Sequence, residues 1–357
     1  MKIDLVSPSS FAGGQPHDQF RWLRENAPVY RHDQADGPGF WAVTRYEDVL
    51  AVDRDFQTYS SEPTIMMDDP PEEQQSAFGP YKMMLMMDPP GHTAYRKLIR
   101  SEFTHPAALL RAERIAELAR QIVDAVAARG ECDFVADVAG EMPSYVIAEL
   151  MGLPLQDGRE LYKLTEIIHI APEALPPGAG TAAVMKMFEY GSQVMAEKRA
   201  KPGDDLASRL LAAEVDGKRL EDMEFLLFFL LLIDAGGDTT RNLLSAGLLA
   251  LLDNPEQLAW LKADLDARLP AAREELLRWA SSSASSRRAW TARGASGAAA
   301  IRSVHAESSI LTDGTDLLLG SSSAVSSETI TSWQSARSTS SISLPVVEST
   351  SAPSTAR

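Results

Sequence analysis

The stretch LLLIDAGGDTTRNLL, from Leu230 to Leu244, limits what this chain can fold into more than any other part of it. Phe225 through Ile233 is apolar at every position, the pattern of a helix buried on all sides. Beyond the polar insert, Leu243, Leu244, Leu248, Leu251 and Leu252 resume helical spacing until Asn254-Pro255 ends it. The insert is costly: each helical glycine loses about 1 kcal/mol relative to alanine. Two readings of it stand open. In one, Asp238 or Thr239 caps a second helix at a junction. In the other, one helix passes a bulky planar ligand: Gly236 and Gly237 let the backbone approach, and the Thr239 hydroxyl competes for the Ala235 carbonyl and opens a local bulge.

The chain has 357 residues and a formal charge of −16, ample for a large core and without the basic footprint that nucleic-acid binding needs. No charged-plus-apolar leader is visible at the N-terminus, and no apolar run is long enough to span a bilayer, so a cytoplasmic location without a membrane span is expected. The single cysteine, Cys132, rules out an internal disulfide framework and a cysteine-based zinc site. It follows a helix end and reads as a small buried hydrophobe.

Up to about residue 280 the chain reads as one mainly α body with a small β element near its start. PHDQFRWLRENAP has an amphipathic turn pattern, GFWAVT after DQADGPG reads as a strand following a turn, and RYEDVLAVDRD then looks helical. Leu109, Leu110, Ile115, Leu118, Ile122, Val123 and Val126 form the apolar pattern of a long helix closed by Gly130. In MMLMMDPPGHTAYRKLIR, Asp88 and two prolines mark a helix start that puts His92 and Arg96 four residues apart on one face, with Lys97 and Arg100 nearby. That face suits an anionic ligand or simply water. The methionines at 83, 84, 86 and 87 read as adaptable core filler.

Composition then breaks. Residues 281–357 hold 23 serines in 77 residues, against 11 in the first 280, and contain no Lys, Phe, Tyr, Met or Asn. Such a segment has too little apolar side chain to offset its ordering entropy, and disorder is expected there.

Taken in order, GFWAVTRYEDVLAVDRDFQTYSSE, MDPPGHTAYRKLIRSEF, AGGDTT and EELLR resemble the bacterial cytochrome P-450 family, the heme-thiolate monooxygenases, over residues 1 to about 280. The resemblance implies a cytochrome P-450 fold, here truncated, with heme b as cofactor. It implies that His92 and Arg96 hold the heme propionates and that Ala235 and Gly236 lie against the heme. Thr239 would hydrogen-bond the dioxygen being activated, Asp238 would relay protons for O–O cleavage, and Glu275 and Arg278 of E-x-x-R would form a buried structural ion pair. Electrons would come from NAD(P)H through a ferredoxin-type partner, and the substrate would be lipophilic: a steroid side chain, a terpenoid or similar.

The family also needs a cysteine ligand late in the chain, and none occurs after Cys132. No metal ligand is therefore assigned, and His305 matches nothing in the family. The switch to Ser, Ala, Arg and Thr is what a GC-rich gene read in a wrong frame encodes. A frameshift near codon 281 is the expectation, making residues 1–280 an incomplete P-450-like domain and 281–357 a tail foreign to it. An inactive remnant, or a weak binder of heme or lipophiles, is the alternative function.

Overall fold

The computed structural model describes residues 1–11, 16–34, 37–62, 64, 80–170, 174–284, 291–295 and 298–302. The chain opens with a single turn, α1 (Pro8–Phe11), and an amphipathic helix, α2 (His17–Asn26), and then forms a hairpin of β1 (Val29–His32) and β2 (Phe40–Val43). The strands are antiparallel, Val29 facing Val43 and His32 facing Phe40. Gly39 closes the turn with a φ of 64°, where a Cβ would stand 2.4 Å from the His32 carbonyl oxygen, so only glycine fits. Leu5, Leu23, Phe40 and Ala42 form a small core under this hairpin. It is the β element expected from GFWAVT.

The rest is helical: α3 (Tyr46–Arg54), α4 (Gly91–Ile99), α5 (His105–Ala127), α6 (Glu141–Met151), α7 (Leu155–His169), α8 (Ala179–Ala200), α9 (Leu206–Ala212), α10 (Asp222–Asp253), α11 (Pro255–Ala263) and α12 (Leu265–Ala284). A two-residue ladder, β3 (Glu214–Val215) with β4 (Lys218–Arg219), precedes α10. The long α10 is the axis of the molecule and packs against α6, α7, α8 and α12. Each residue from Phe225 to Ile233 is buried, as the uniform apolar run requires. Met84 and Leu85 join the same core, and Met83 packs on its edge.

The N-terminus of α10 is held by chemistry that hydropathy does not encode. Glu221 and Glu224 form a capping box, with the Glu221 backbone N–H donating to the Glu224 carboxylate at 2.7 Å. Tyr81 donates its phenol to Glu221, and Tyr95 of α4 donates to Glu224 while its ring stacks on Phe228 at 5.7 Å. This pair docks α4 onto the buried end of α10.

Two sequence expectations are modified here. On α5, Leu118 and Ile122 are buried, but Leu109, Leu110 and Val123 are exposed. That helix is wide in apolar pattern but meets its neighbours along a narrower stripe. In the serine-rich segment, α12 runs on to Ala284, and β5 (Thr291–Ala295) pairs antiparallel with β6 (Ala298–Arg302). The remainder of the expected disorder lies outside the described residues.

Candidate active site

The insert AGGDTT lies inside one uninterrupted helix, α-helical from Asp222 to Asp253. This removes the helix-junction reading, because neither Asp238 nor Thr239 caps anything. The Thr239 hydroxyl donates to the Ala235 carbonyl at 3.0 Å, the back-bond expected from the four-residue spacing. The anticipated bulge does not accompany it, and the helix absorbs the extra bond without changing class. Burial does change at this point. Ala235 and Gly237 are buried, whereas Asp238 through Ala246 are half-buried, so the polar cluster is not deep inside as the apolar flanks suggested.

The two glycines serve different neighbours. A Cβ on Gly236 would meet Ile147 of α6 at 3.5 Å, an ordinary contact, while one on Gly237 would stand 2.8 Å from the Tyr162 ring of α7. Gly237 therefore admits an aromatic ring from α7.

Asp238 turns toward α7. One carboxylate oxygen pairs with Arg241 and the other accepts from Asn242 Nδ2 at 3.0 Å. Arg241 Nη1 donates to Glu166 of α7 at 2.8 Å, and its guanidinium lies 5.6 Å from the centroid of the Tyr162 ring. Burial pushes the Tyr162 phenol up to about 12, with the neighbouring Arg241 opposing the rise. One turn earlier, His169 Nδ1 of α7 is 3.5 Å from Asp234 Oδ1. The Glu166–Arg241–Asp238 bridge thus joins α7 and α10 beside the central turn.

On α4, His92 and Arg96 share a face as their spacing requires. Burial, followed by the positive charge of Arg96, holds the His92 imidazole below its ordinary range, and Asp88 opposes this. An anion beside Arg96 would meet its positive charge and would in turn favour a proton on His92. Asp88 does not cap α4 through its side chain; its carboxylate receives the Ser61 N–H at 2.9 Å and the Ser60 hydroxyl.

Glu275 and Arg278 form a bidentate pair, with Nε to Oε2 at 2.7 Å, but the Arg278 side chain is 52% exposed. The pair is present and not buried, because no described element lies over that face of α12. Cys132 is half-buried and unpaired with another cysteine, and His305 lies outside the described residues.

No family model matches the chain. Its sequence is 38% identical to a putative cytochrome P450 126 of Mycobacterium tuberculosis, over 80% of this chain and 72% of that protein. The chain belongs to the cytochrome P450 family. This P450 is also 36% identical to a steroid C26-monooxygenase of Mycolicibacterium smegmatis, over 78% of its own length and 67% of the relative. Among solved structures it resembles a Mycobacterium marinum cytochrome P450 in complex with pseudoionone, with a TM-score of 0.72 and 36% identity over 78% of this chain and 71% of that one. The family consists of heme b monooxygenases, and the mainly helical P450 fold with its small β element agrees with the sequence reading. Among the described residues, no helix of this P450 is long and apolar enough to cross a membrane.

The residues present fit heme on two sides and not on a third. The Arg96 guanidinium and the His92 imidazole, on one face of α4, suit a pair of carboxylates. The small Ala235 and the back-bonded Thr239 offer a close-approach helix face. The axial thiolate is not supplied, since the chain's one cysteine is Cys132, before α6 and remote in sequence from α12. Among the described residues no group of His, Cys, Asp and Glu is arranged to hold a metal ion.

Reading the sequence did not single out Tyr162, Glu166 or Arg241. Only Arg241 left a local signal, three residues after Asp238 in DTTRN, the spacing of a helical ion pair. The α7 partners come from tertiary packing.

Proposed function

We propose that this P450 sequence encodes an incomplete monooxygenase domain acting on a lipophilic substrate, such as a steroid side chain or a terpenoid. The observation that carries the reading is the acid–alcohol pair at the central turn of α10: Asp238 beside Thr239, whose hydroxyl bonds the Ala235 carbonyl. The substrate class is supported by the similar steroid C26-monooxygenase and by a methyl-branched lipid omega-hydroxylase of Mycobacterium bovis, 34% identical over 73% of this chain. Pseudoionone in the similar solved structure agrees with it.

Heme, when bound, supplies dioxygen activation. The chain's own residues supply the rest. His92 and Arg96 hold the propionates through charge-assisted hydrogen bonds. Ala235 and Gly236 keep the α10 surface flat. Thr239 would hold a proton donor in place at the α10 face, and Asp238, next to it in the chain, would resupply the proton. Electrons come from NAD(P)H through a ferredoxin-type partner.

For the chain as it stands, the lone Cys132 favours the second reading, an inactive remnant or weak binder of heme or lipophiles, with a reading-frame change near codon 281 as its origin. The carbon-monoxide difference spectrum of the reduced, heme-supplemented chain tests this. No thiolate-type Soret band is expected, and restoring the frame beyond Ala280 should produce one. A thiolate band from the unrepaired chain would overturn the frame reading. In the restored enzyme, Thr239→Ala should leave heme content unchanged while less product forms per electron consumed. Unchanged coupling would overturn the assignment of Thr239.

A further inference from the structure

We propose that Tyr95 is a positioning residue: by binding Glu224 at the start of α10, its phenol fixes the rotation of α4 and so the direction in which His92 and Arg96 face. The proposal rests on the reading of those two side chains as the propionate-holding pair.

The first turn of α4 does little to set its own rotation. No side chain caps it at Pro90, and a Cβ on Gly91 would meet nothing within 4 Å. At the other end Ile99 is buried, where the helix packs against α9 and the Met84–Met86 turn. Between these ends Tyr95 reaches across to α10, its hydroxyl on one oxygen of Glu224 and its ring stacked on Phe228 with 8° between the planes. The carboxylate cannot follow a moving phenol. Its second oxygen is committed to the Glu221 backbone N–H at 2.7 Å, as part of the box that starts α10.

Helical geometry passes this anchor on to the neighbouring side chains. At about 100° per residue, His92 lies about 60° around the helix from Tyr95, and Arg96 about 100°. A roll that carries Tyr95 off Glu224 turns both of them by the same angle. The phenol thus governs an anion-facing side that it never touches.

His92 reports on the seating of α4, because burial is the larger cause of its lowered pKa. The fold also supplies a matched control. Tyr190 of α8 donates to Asp157 of α7, and its ring lies 6.1 Å from that of Phe229, the next residue along α10. In the full chain labelled with carbon-13 histidine, the His92 ring signals are identified by their loss in His92→Gln. Tyr95→Phe should raise the His92 midpoint toward its ordinary 6.5. Neither ring is charged in that range, so a rise must come through geometry. Tyr190→Phe removes an equivalent bond from the same core and should leave His92 in place. In a Glu224→Ala background, Tyr95→Phe should move nothing.

The proposal is overturned if Tyr95→Phe fails to raise the midpoint, if Tyr190→Phe raises it as much, or if Tyr95→Phe acts equally without Glu224. Should Tyr95→Phe fail to fold, judged by the His17 and His32 signals of the N-terminal segment, Glu224→Asp replaces it. That change keeps the charge and withdraws the carboxylate by one methylene; an unmoved midpoint there overturns the proposal as well. Failure of the propionate reading is a separate result: heme content unchanged by Arg96→Ala in the frame-restored enzyme, with the His92 response to Tyr95→Phe intact.

Discussion

The ring of Tyr162 lies so close to Gly237 that a Cβ there would stand 2.8 Å from Cδ2, whereas at Gly236 the nearest atoms, of Ile147, are 3.5 Å away. Gly236→Ala should therefore stabilise the chain by up to about 1 kcal/mol through helix propensity alone. Gly237→Ala gains the same propensity but forces a ring and a helix apart, at about 1–3 kcal/mol, and should be net destabilising. Urea unfolding of the two variants separates them. Equal effects would mean that α7 yields freely.

Alkaline pH should weaken the fold through its buried phenols. Burial, together with Glu224 for Tyr95 and Asp157 for Tyr190, raises those two phenols, and burial brings Tyr162 to about 12. A phenol whose folded pKa is raised contributes stability that is complete below its unfolded value of 10.0 and is lost as pH climbs toward the folded one. Urea midpoints should be flat near neutrality and fall between pH 10 and 12. Tyr95→Phe should lower the neutral-pH stability by roughly 1–3 kcal/mol while making the alkaline fall shallower.

His92 gives the complementary acid-side expectation. Its imidazole is held below its ordinary value of 6.5, so the folded chain resists its proton and loses stability as pH falls through that range. Arg96→Gln should bring the His92 titration, followed by NMR of its ring protons, part of the way back. Burial, the larger cause, stays. A complete return would make Arg96 the main cause, and no return would separate the two side chains.

The Glu275–Arg278 pair is too exposed to matter greatly in this chain. Glu275→Gln should cost about 0–1 kcal/mol, the range of surface pairs. A loss of several kcal/mol on thermal unfolding would show that the pair is covered in solution.

The elements legible in the sequence are those written in local chemistry. The apolar run 225–233, the stop at Asn254-Pro255, the Gly39 turn and the His92/Arg96 spacing each became the structure their residues imply. Thr239 met Ala235 because both lie on one helix. The long-range parts stayed hidden. Nothing near Gly237 announces an aromatic ring from 75 residues earlier in the chain, at Tyr162, and nothing near Glu224 announces the phenol of Tyr95. The exposure of Leu109, Leu110 and Val123 likewise depends on which neighbours arrive.

The change in burial along α10 makes one continuous helix into two cooperative units. Amides from Phe225 to Ile233 are walled in on all sides and should exchange with deuterium only when the whole core opens. Those from Thr239 to Ala246 lie in a half-covered part of the helix and should exchange through local openings. The acid–alcohol turn sits at this boundary, anchored to a stiff shaft on one side and hinged to a yielding segment on the other, so it can be held in register without being frozen.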